Sequence, residues 1–426
     1  MSTTLSNVAA ALPGQRQSTL ALFPPEITDC IFSHFDFDYS TQARLENRIE
    51  RDDTLSNMSV IAEGWKGPAR RILFRSRIIQ SWADLTSEVG VWAGEEVRTM
   101  VFNVSGLDEM EDMEERTLAN AVFKMIKNLP NLRTLRIQQI PFNSFDLFDS
   151  FSLRTTSFLP LLSELSSYTT PFPASVISDL LVTSKHQISR FTAHANSAGT
   201  RMPFQRSQLD FGGKLRYLKI TRSAYGVMLD PARTSISSLG GLRELELWEI
   251  DGSTHENTTE FFSVVGATLD KLTIIGNLNA FVLESTPLLV RLTRLSLRYF
   301  LGDPTPLLLR LPASLSSLRL YGENGLHVVL HRWMANRSLV PVGLKHIHIE
   351  RIEQHTTFGN LPKLDRLTTA YGAGLLRALT RLERGPFAFA ILEVSFEWRD
   401  RNCVELMERE CDRLKVEFRQ IYEQWD

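Results

Sequence analysis

One hydrophobic triplet recurs along the chain with the spacing L-x-x-L-x-L or a conservative replacement of it. The last two apolar positions of each triplet alternate with polar positions, which is the period-two pattern of a strand with one buried face. The clear copies are Leu132/Leu135/Ile137, Leu215/Leu218/Ile220, Leu242/Leu245/Leu247, Leu269/Leu272/Ile274, Leu292/Leu295/Leu297, Leu315/Leu318/Leu320 and Leu344/Ile347/Ile349, with a weaker copy at Ile188/Phe191/Ala193. Fainter copies include Leu162/Leu165. The pattern predicts a series of short strands.

The spacing of the triplets indicates a repeat. Four successive copies begin at positions 188, 215, 242 and 269, which are 27 residues apart, and the next three begin at 292, 315 and 344. Segments of helical pattern lie between some of the triplets, for example over residues 118–129. One strand and one helix cannot bury their own apolar faces, whereas stacked neighbours can. We therefore expect a βα solenoid over residues 90–400 within an α/β fold class.

This repeat resembles the leucine-rich repeat, although it is irregular. Periods of 20–29 residues are typical of that family. The family pattern usually places Asn or Cys three residues after the last Leu, and in the seven clear copies only Asn277 stands there. A non-solenoid α/β domain with alternating strands and helices is the alternative interpretation of the same pattern.

The C-terminal residues carry a regular apolar stripe. Steps of three and four residues, the heptad spacing of one helix, separate Val404, Met407, Cys411, Leu414, Phe418, Ile421 and Trp425. The ends of a solenoid need a cover, so we expect residues 401–426 to form an amphipathic helix that caps the array. A coiled-coil dimer is the other outcome that the stripe allows.

The N-terminal segment has a different pattern. Residues 1–19 are polar and predict a disordered tail. Residues 22–35 read LFPPEITDCIFSHF, in which two prolines open a helix that carries Ile27, Ile31 and Phe35 on one face. A second apolar block over 55–65 leads into the run GPARRILF. These motifs predict a small helical module over residues 20–80.

The ordered set of motifs in this module resembles the F-box, particularly the form common in fungal F-box proteins. The opening is similar to the family's L-P-P-E-[IL] start, and Trp65 to Phe74 is similar to its W-x-x-P-A-R-R-x-L-F continuation. The departures are Phe23 in place of Leu, Ala62 in place of Cys and a lengthened connection over residues 36–53. The resemblance covers residues 22–76.

The resemblance implies a non-catalytic role in ubiquitin-dependent degradation. F-boxes dock on a Skp-type adaptor, which joins a cullin–RING (SCF-type) ubiquitin ligase. The residues that the resemblance places at the adaptor are Phe23, Pro24, Pro25, Ile27, Ile31 and Phe32. The chain is then expected to be a substrate receptor whose repeats bind a protein client. A repeat scaffold that acts outside ubiquitination is the main alternative, and an enzyme with an unrecognised site is a third.

The polar positions of the predicted strands supply a candidate surface for the client. In the eight better copies they hold seven Lys or Arg and three Glu, on a chain whose formal net charge is −2. The expected contact residues are Arg136, Tyr217, Lys219, Trp248, Lys271, Arg294, Arg298, Arg319 and Tyr321. Because the guanidinium fork suits carboxylate and phosphate groups, the expected client is an acidic or phosphorylated protein segment.

Composition and charge narrow the classes of function. The 426 residues include 47 Lys and Arg against 49 Asp and Glu. Proteins that bind nucleic acid usually have a clear basic excess, so neither a nucleic-acid nor a membrane partner is expected. The three cysteines, Cys30, Cys403 and Cys411, cannot form a disulfide framework. They favour an intracellular compartment, cytoplasmic or nuclear.

No motif in the chain indicates catalysis or a cofactor. G-x-S-x-G, P-loop and G-x-G-x-x-G sequences are absent. His346 and His348 share one face of a predicted strand, but no third metal ligand follows from their spacing, so exposed strand histidines are expected. We expect no cofactor, no metal site and no enzymatic activity.

Overall fold

The computed structural model describes part of the chain, in two compact units. The described residues are 54–57, 69, 72–79, 95–103, 125–126, 128–139, 159–167, 187–193, 209–221, 234–248, 258–275, 288–298, 310–321, 341–350, 391–395 and 401–420. One unit comprises Met1–Leu135 with Asp426, and the other comprises Arg136–Trp425.

The first unit contains short helical turns and a pair of parallel strands. Helical residues occur at 54–57, 69 and 72–75. Leu55 and Ala69 are fully buried there, with Ile72 and Leu73 packed against them. Strand β1 (Ser76–Ile79) then pairs in parallel with strand β2 (Thr99–Asn103).

The second unit is a parallel β-solenoid in which the strands follow chain order. Strand β3 (Thr134–Gln139) begins at the division between the units. The following strands are β4 (Glu164–Ser167), β5 (Arg190–Ala193), β6 (Tyr217–Thr221), β7 (Glu244–Trp248), β8 (Lys271–Ile275), β9 (Arg294–Arg298), β10 (Ser317–Tyr321), β11 (His346–Glu350), β12 (Ile391–Ser395) and β13 (Glu417–Gln420). From β4 to β13 each strand pairs in parallel with the next.

The triplets form the core of this unit because they stack in register. The middle positions make one buried ladder, Leu218, Leu245, Leu272, Leu295, Leu318 and Ile347. The first positions are all fully buried in the turns before the strands, at Leu215, Leu242, Leu269, Leu292, Leu315 and Leu344. Full burial of one such side chain contributes about 1.5–3 kcal/mol.

Backbone hydrogen bonds at the strand entries fix the register. The N–H groups of Arg243 and Glu244 both donate to the carbonyl oxygen of Arg216, each at 2.9 Å. One repeat later, the N–H groups of Asp270 and Lys271 donate to the carbonyl oxygen of Arg243 at 2.8 and 3.0 Å. The same double donation recurs at the entries to β9, β10 and β11, so each of these strands is placed by the one before it.

The predicted fold class, an α/β protein with a helical module and βα repeats, is wrong. The described residues form a parallel β-solenoid with few helices, and its two named α-helices are α1 (Thr258–Val265) and α2 (Arg401–Leu414). A 3-10 helix, Ile236–Leu239, precedes β7. The triplets account for the difference, because their buried positions stack from strand to strand into a parallel ladder, and between β7 and β8 helix α1 adds Phe261, Phe262 and Val265 to that core. Of the predicted helix over 118–129, residues 118–124 and 127 lie outside the described set, and residues 125–126 are helical.

The ends of the predicted helical regions are also corrected. Residues 76–79 form β1 rather than part of a helical module, since Ile78 and Ile79 pair with Val101 and Phe102 in a ladder. The C-terminal helix does not continue to residue 426 but ends at Leu414, and β13 follows.

A helix C-cap stops α2. Lys415 adopts φ 58°, and its N–H donates to the carbonyl oxygen of Asp412 while the N–H of Val416 donates to that of Cys411. These two bonds make a Schellman motif, which turns the chain out of the helix. Phe418 of the apolar stripe therefore lies in a strand.

Candidate functional site

The candidate site is the strand face, formed by the polar side chains of strands β3 to β11 that alternate with the buried ladder. Parallel register aligns these side chains in rows that run across the strands. One row contains Glu164, Arg190, Tyr217, Glu244, Lys271, Arg294, Ser317 and His346. The next contains Ser166, Thr192, Lys219, Glu246, Thr273, Ser296, Arg319 and His348. Neighbours within a row are about 4.8 Å apart at the backbone, so their side chains interact.

Glu164 joins two arginines at the first of these strands. The guanidinium of Arg136 donates from Nε to Oε1 of Glu164 at 3.0 Å, and its Nη2 lies 2.9 Å from the same oxygen in an ion pair. Arg190 lies 3.9 Å from the other carboxylate oxygen and places its guanidinium carbon 4.2 Å from the centre of the Tyr217 ring. Such stacking of a cation on an aromatic face is attractive through the ring quadrupole. The Arg136 charge is therefore compensated within the fold.

Glu246 is the centre of a second network. The hydroxyl of Tyr217 donates to Oε2 of Glu246 at 2.9 Å, and the indole N–H of Trp248 donates to Oε1. The ammonium of Lys219 lies 3.4 Å from Oε1 and 3.6 Å from the centre of the Trp248 ring. One carboxylate thus holds both aromatic side chains of this part of the face and the lysine between them.

The electrostatics of Glu246 follow from these contacts. Burial alone would raise the pKa of its carboxyl group. The charge of Lys219, together with hydrogen bonds from Trp248, Tyr217 and Lys219, outweighs that effect, and the pKa lies below its ordinary value. Glu246 is therefore a carboxylate near neutral pH, with its oxygens already engaged.

Glu244 and Lys271 form a third pair, further from the core. Their side chains are both 44% exposed, and Nζ of Lys271 lies 3.5 Å from Oε2 of Glu244. The residues are direct neighbours in the register of β7 and β8. With this pair, three of the cations predicted to contact a client (Arg136, Lys219 and Lys271) each have a glutamate within 3.5 Å.

Strands β9 to β11 present a different set of side chains. Arg294 is exposed and Arg319 is half-buried. His346 and His348 face each other with ring centres 6.3 Å apart, and His348 is buried rather than exposed as expected. Within the described ranges, no group of three or more His, Cys, Asp or Glu is arranged to hold a metal ion.

Sequence reasoning missed Glu164, although it placed most of the other charged residues on this face. Glu164 lies within the faint triplet copy Leu162/Leu165, whose two leucines are fully buried. Its neighbour on the next strand, Arg190, is found from the sequence because it belongs to the clearer copy Ile188/Phe191/Ala193. The signal that finds Glu164 is its place in the register, directly beside Arg190.

Some predicted residues cannot be placed by the structure. The residues expected at the adaptor, from Phe23 to Phe32, lie outside the described residues. Arg298 and Tyr321 occupy the last positions of β9 and β10, but their side chains also lie outside the described set.

Cys411 is a packing residue of α2. It is fully buried, and burial, with help from Asp412 and Glu410, raises the pKa of its thiol to about 12. The thiol form is not a nucleophile near neutral pH. Cys411 is therefore a structural residue.

No family model fits the chain, and no curated protein resembles it significantly. Among the described residues, no helix has the length and apolar character needed to cross a membrane.

Proposed function

We propose that this protein is an intracellular, non-catalytic substrate receptor of an SCF-type ubiquitin ligase. In this proposal the N-terminal segment docks on a Skp-type adaptor through Phe23, Pro24, Pro25, Ile27, Ile31 and Phe32, and the strand face holds a protein client. Transfer of ubiquitin is carried out by the other subunits, so the chain needs neither a cofactor nor a catalytic residue.

The observation that carries the proposal is the ordered set of F-box-like motifs over residues 22–76. A proline pair at a helix start followed by apolar residues four apart provides anchors that need little ordering when they enter a groove. These motifs alone define the proposed adaptor-binding surface.

The geometry of the strand face supports the client-binding half. Rows of polar side chains are held by a backbone whose register is fixed at every strand, and aromatic residues such as Tyr217 and Trp248 are immobilised by hydrogen bonds. Preorganised side chains lose little conformational entropy on binding, which favours affinity. Tyrosine and tryptophan are also common anchors of protein interfaces.

Co-purification with a Skp-type adaptor tests the proposal. The full chain, co-expressed with the adaptor, is expected to form a stable complex, and Ile31→Glu is expected to weaken that complex at least about thirtyfold because a buried anchor would become charged. Val342→Glu is the matched control, since it places the same charge at an apolar side chain that is 89% exposed. Thermal melting of each variant confirms that it is folded.

Two results would contradict the receptor role. One is a folded chain that captures no adaptor, and the other is an equal loss of capture by both glutamate variants. The first result would favour a repeat scaffold outside ubiquitination, for which the departures at Phe23, Ala62 and residues 36–53 are the supporting observation.

A further inference from the structure

The turns that precede strands β9, β10 and β11 are equivalent in structure. In each turn the N–H of the buried leucine at the first triplet position donates to the carbonyl oxygen three residues earlier. The donors are Leu292, Leu315 and Leu344, and the bonds measure 3.1, 3.1 and 3.0 Å. Neighbouring parallel strands are about 4.8 Å apart, so these three turns lie side by side at the edge where the strands begin.

Contacts between the turns fix this edge. The N–H of Gly343 donates to the carbonyl oxygen of Ala313 at 3.1 Å, and the hydroxyl of Ser314 donates to the carbonyl oxygen of Leu292 at 2.9 Å. A Cβ atom at Gly343 would lie 2.8 Å from the carbonyl oxygen of Ala313, so a glycine is needed where the two turns approach each other. The backbone therefore holds the side chains of this edge at fixed attachment points.

An exposed apolar row runs along the three turns. The residue two positions before the buried leucine is exposed in each turn, and these residues are Val290, Ala313 and Val342. Val290 and Val342 are 62% and 89% exposed, and they are two of the three large apolar side chains that the described part of the chain exposes. The row spans three strands, or about 10 Å. Removal of these side chains from water by the apolar groups of a partner would be favourable.

Basic residues surround the apolar row. Arg291, Arg310 and Lys345 are exposed in or next to the same turns, and none of the three forms an ion pair with another described residue. In the described parts of these three repeats the one acidic residue is Glu350. It is the last residue of β11, about 13 Å from the start of that strand. The edge therefore carries a positive charge beside its exposed valines.

We infer that these residues form a second binding surface, the turn ridge, which takes a protein segment that combines carboxylate and apolar side chains. The ridge consists of Val290, Arg291, Arg310, Ala313, Val342 and Lys345. Charge complementarity selects the carboxylates, the valines select the apolar groups, and about three residues of an extended segment match the length of the row. Two valines bury much less surface than the apolar face of a membrane-bound helix, so a protein segment fits the ridge better than a lipid surface.

The turn ridge does not depend on the receptor role. None of its residues belongs to the strand face or to the N-terminal segment that is proposed to bind the adaptor. Its ligand also differs from that of a purely charged surface, because it needs apolar side chains in addition to carboxylates.

Fluorescence anisotropy of the full chain with labelled peptides tests the turn ridge. The probes are a peptide of repeated Glu-Glu-Leu, an oligo-glutamate of equal length and a peptide of repeated Lys-Lys-Leu. The protein is expected to bind the Glu-Glu-Leu peptide most tightly and oligo-glutamate more weakly, and to show no detectable binding of the lysine peptide. The reason is that the first probe alone offers apolar side chains together with the complementary charge.

Two double variants separate the contribution of charge from that of apolar contact. Arg291→Gln with Lys345→Gln is expected to weaken the binding of both acidic peptides about fivefold, as the loss of two exposed ion pairs requires. Val290→Thr with Val342→Thr keeps the shape of the side chains but replaces a methyl group by a hydroxyl. It is expected to weaken Glu-Glu-Leu binding about fivefold and to leave oligo-glutamate binding within about twofold.

A matched double variant controls for net charge. Lys214, which precedes β6, and Arg409 of helix α2 are also exposed, and neither forms an ion pair with another described residue. Lys214→Gln with Arg409→Gln therefore removes the same charge away from the ridge. Its peptide binding should stay within about twofold of the unmodified chain, because distant exposed charges are screened. Thermal melting confirms that each variant is folded.

Equal weakening by the two charge variants would overturn the inference, since net charge would then explain the binding. It would also be overturned if neither acidic peptide binds, or if the threonine variant affects the two acidic peptides equally. Tighter binding of phosphatidylserine vesicles or of an oligothymidylate than of the Glu-Glu-Leu peptide, lost in Arg291→Gln with Lys345→Gln, would overturn it too and indicate a membrane or nucleic-acid site. Adaptor capture is expected to be the same in all these variants, so its outcome tests the receptor role and not the ridge.

Discussion

Strands β4 to β8 and strands β9 to β10 have the same parallel register, but they differ in the charged residues that they place on the strand face. In the first group the glutamates Glu164, Glu244 and Glu246 hold the neighbouring cations, and aromatic rings fill the space between them. In the second group the row positions hold arginine and serine without an acidic residue. The ladder of buried leucines is the same in both. The repeat therefore fixes where the side chains lie, while the residue types at the polar positions set the charge that each strand contributes to the face.

The largest losses of stability are expected at the ladder of buried leucines, which the two groups of strands share. Leu245 in β7 and Leu318 in β10 occupy equivalent ladder positions and are 1% and 0% exposed. Substituting either one by Ala should lower the free energy of unfolding by about 3 kcal/mol, through lost burial and the cavity that remains. Urea denaturation followed by circular dichroism measures both values. A difference of several kcal/mol between the two variants would show that the regions do not share one core.

A smaller loss of stability is expected from substitution of Glu246, whose network occurs only in the first group of strands among the described residues. Glu246→Gln keeps the shape of the side chain but removes the charge that holds Lys219, and it leaves the indole N–H of Trp248 with a weaker acceptor. We expect a loss of about 1–3 kcal/mol in the free energy of unfolding, measured as above. Glu244→Gln is the control on the same strand: its pair is 44% exposed, so a loss below about 1 kcal/mol is expected.

The pH dependence of stability tests whether the loss in Glu246→Gln comes from the charge of the carboxylate. The folded pKa of Glu246 is lowered from an ordinary value of 4.5, so its contribution is complete at pH values above 4.5 and declines as the pH falls through the lower folded value. The stability difference between the unmodified chain and Glu246→Gln should therefore shrink in acid. A difference that does not change with pH would mean that packing, rather than charge, accounts for the loss.

The strands were predictable from the sequence because their signal is local. Each triplet specifies a buried ladder position by itself, and Leu218 and Leu245 mark β6 and β7 without reference to any other repeat. Most of the segments between triplets lie outside the described residues, and the described one between β7 and β8 contains helix α1. A repeat period of this length is compatible with several connections, and only the packing of the whole array selects one. The helix stop at Lys415 likewise depends on a left-handed backbone conformation that the heptad stripe does not reveal.

The sequence predicted most of the residues of the candidate site, but it did not predict which of their side chains contact one another. Lys271 and Glu244 are 27 positions apart, so a solenoid with that period places them side by side, and this pair follows from the repeat. The contacts of Trp248 and Lys219 cross from one row to another and depend on side-chain direction. Glu164 belongs to a faint copy and escaped the count of charges on the face. For these reasons the sequence predicted a surplus of positive charge on the whole face without showing which cations pair with glutamates.

The proposed client site implies that Glu244 in β7 neutralises Lys271, which would otherwise present its full charge to an acidic client beside Arg294. Oligo-glutamate binding by Glu244→Gln, compared with the unmodified chain by fluorescence anisotropy, tests it most directly. Removing Glu244 releases Lys271 beside Arg294, so the affinity should rise by about two- to threefold at low salt, and the gain should fade as salt is added. Unchanged or weaker binding by a folded Glu244→Gln protein would contradict the account.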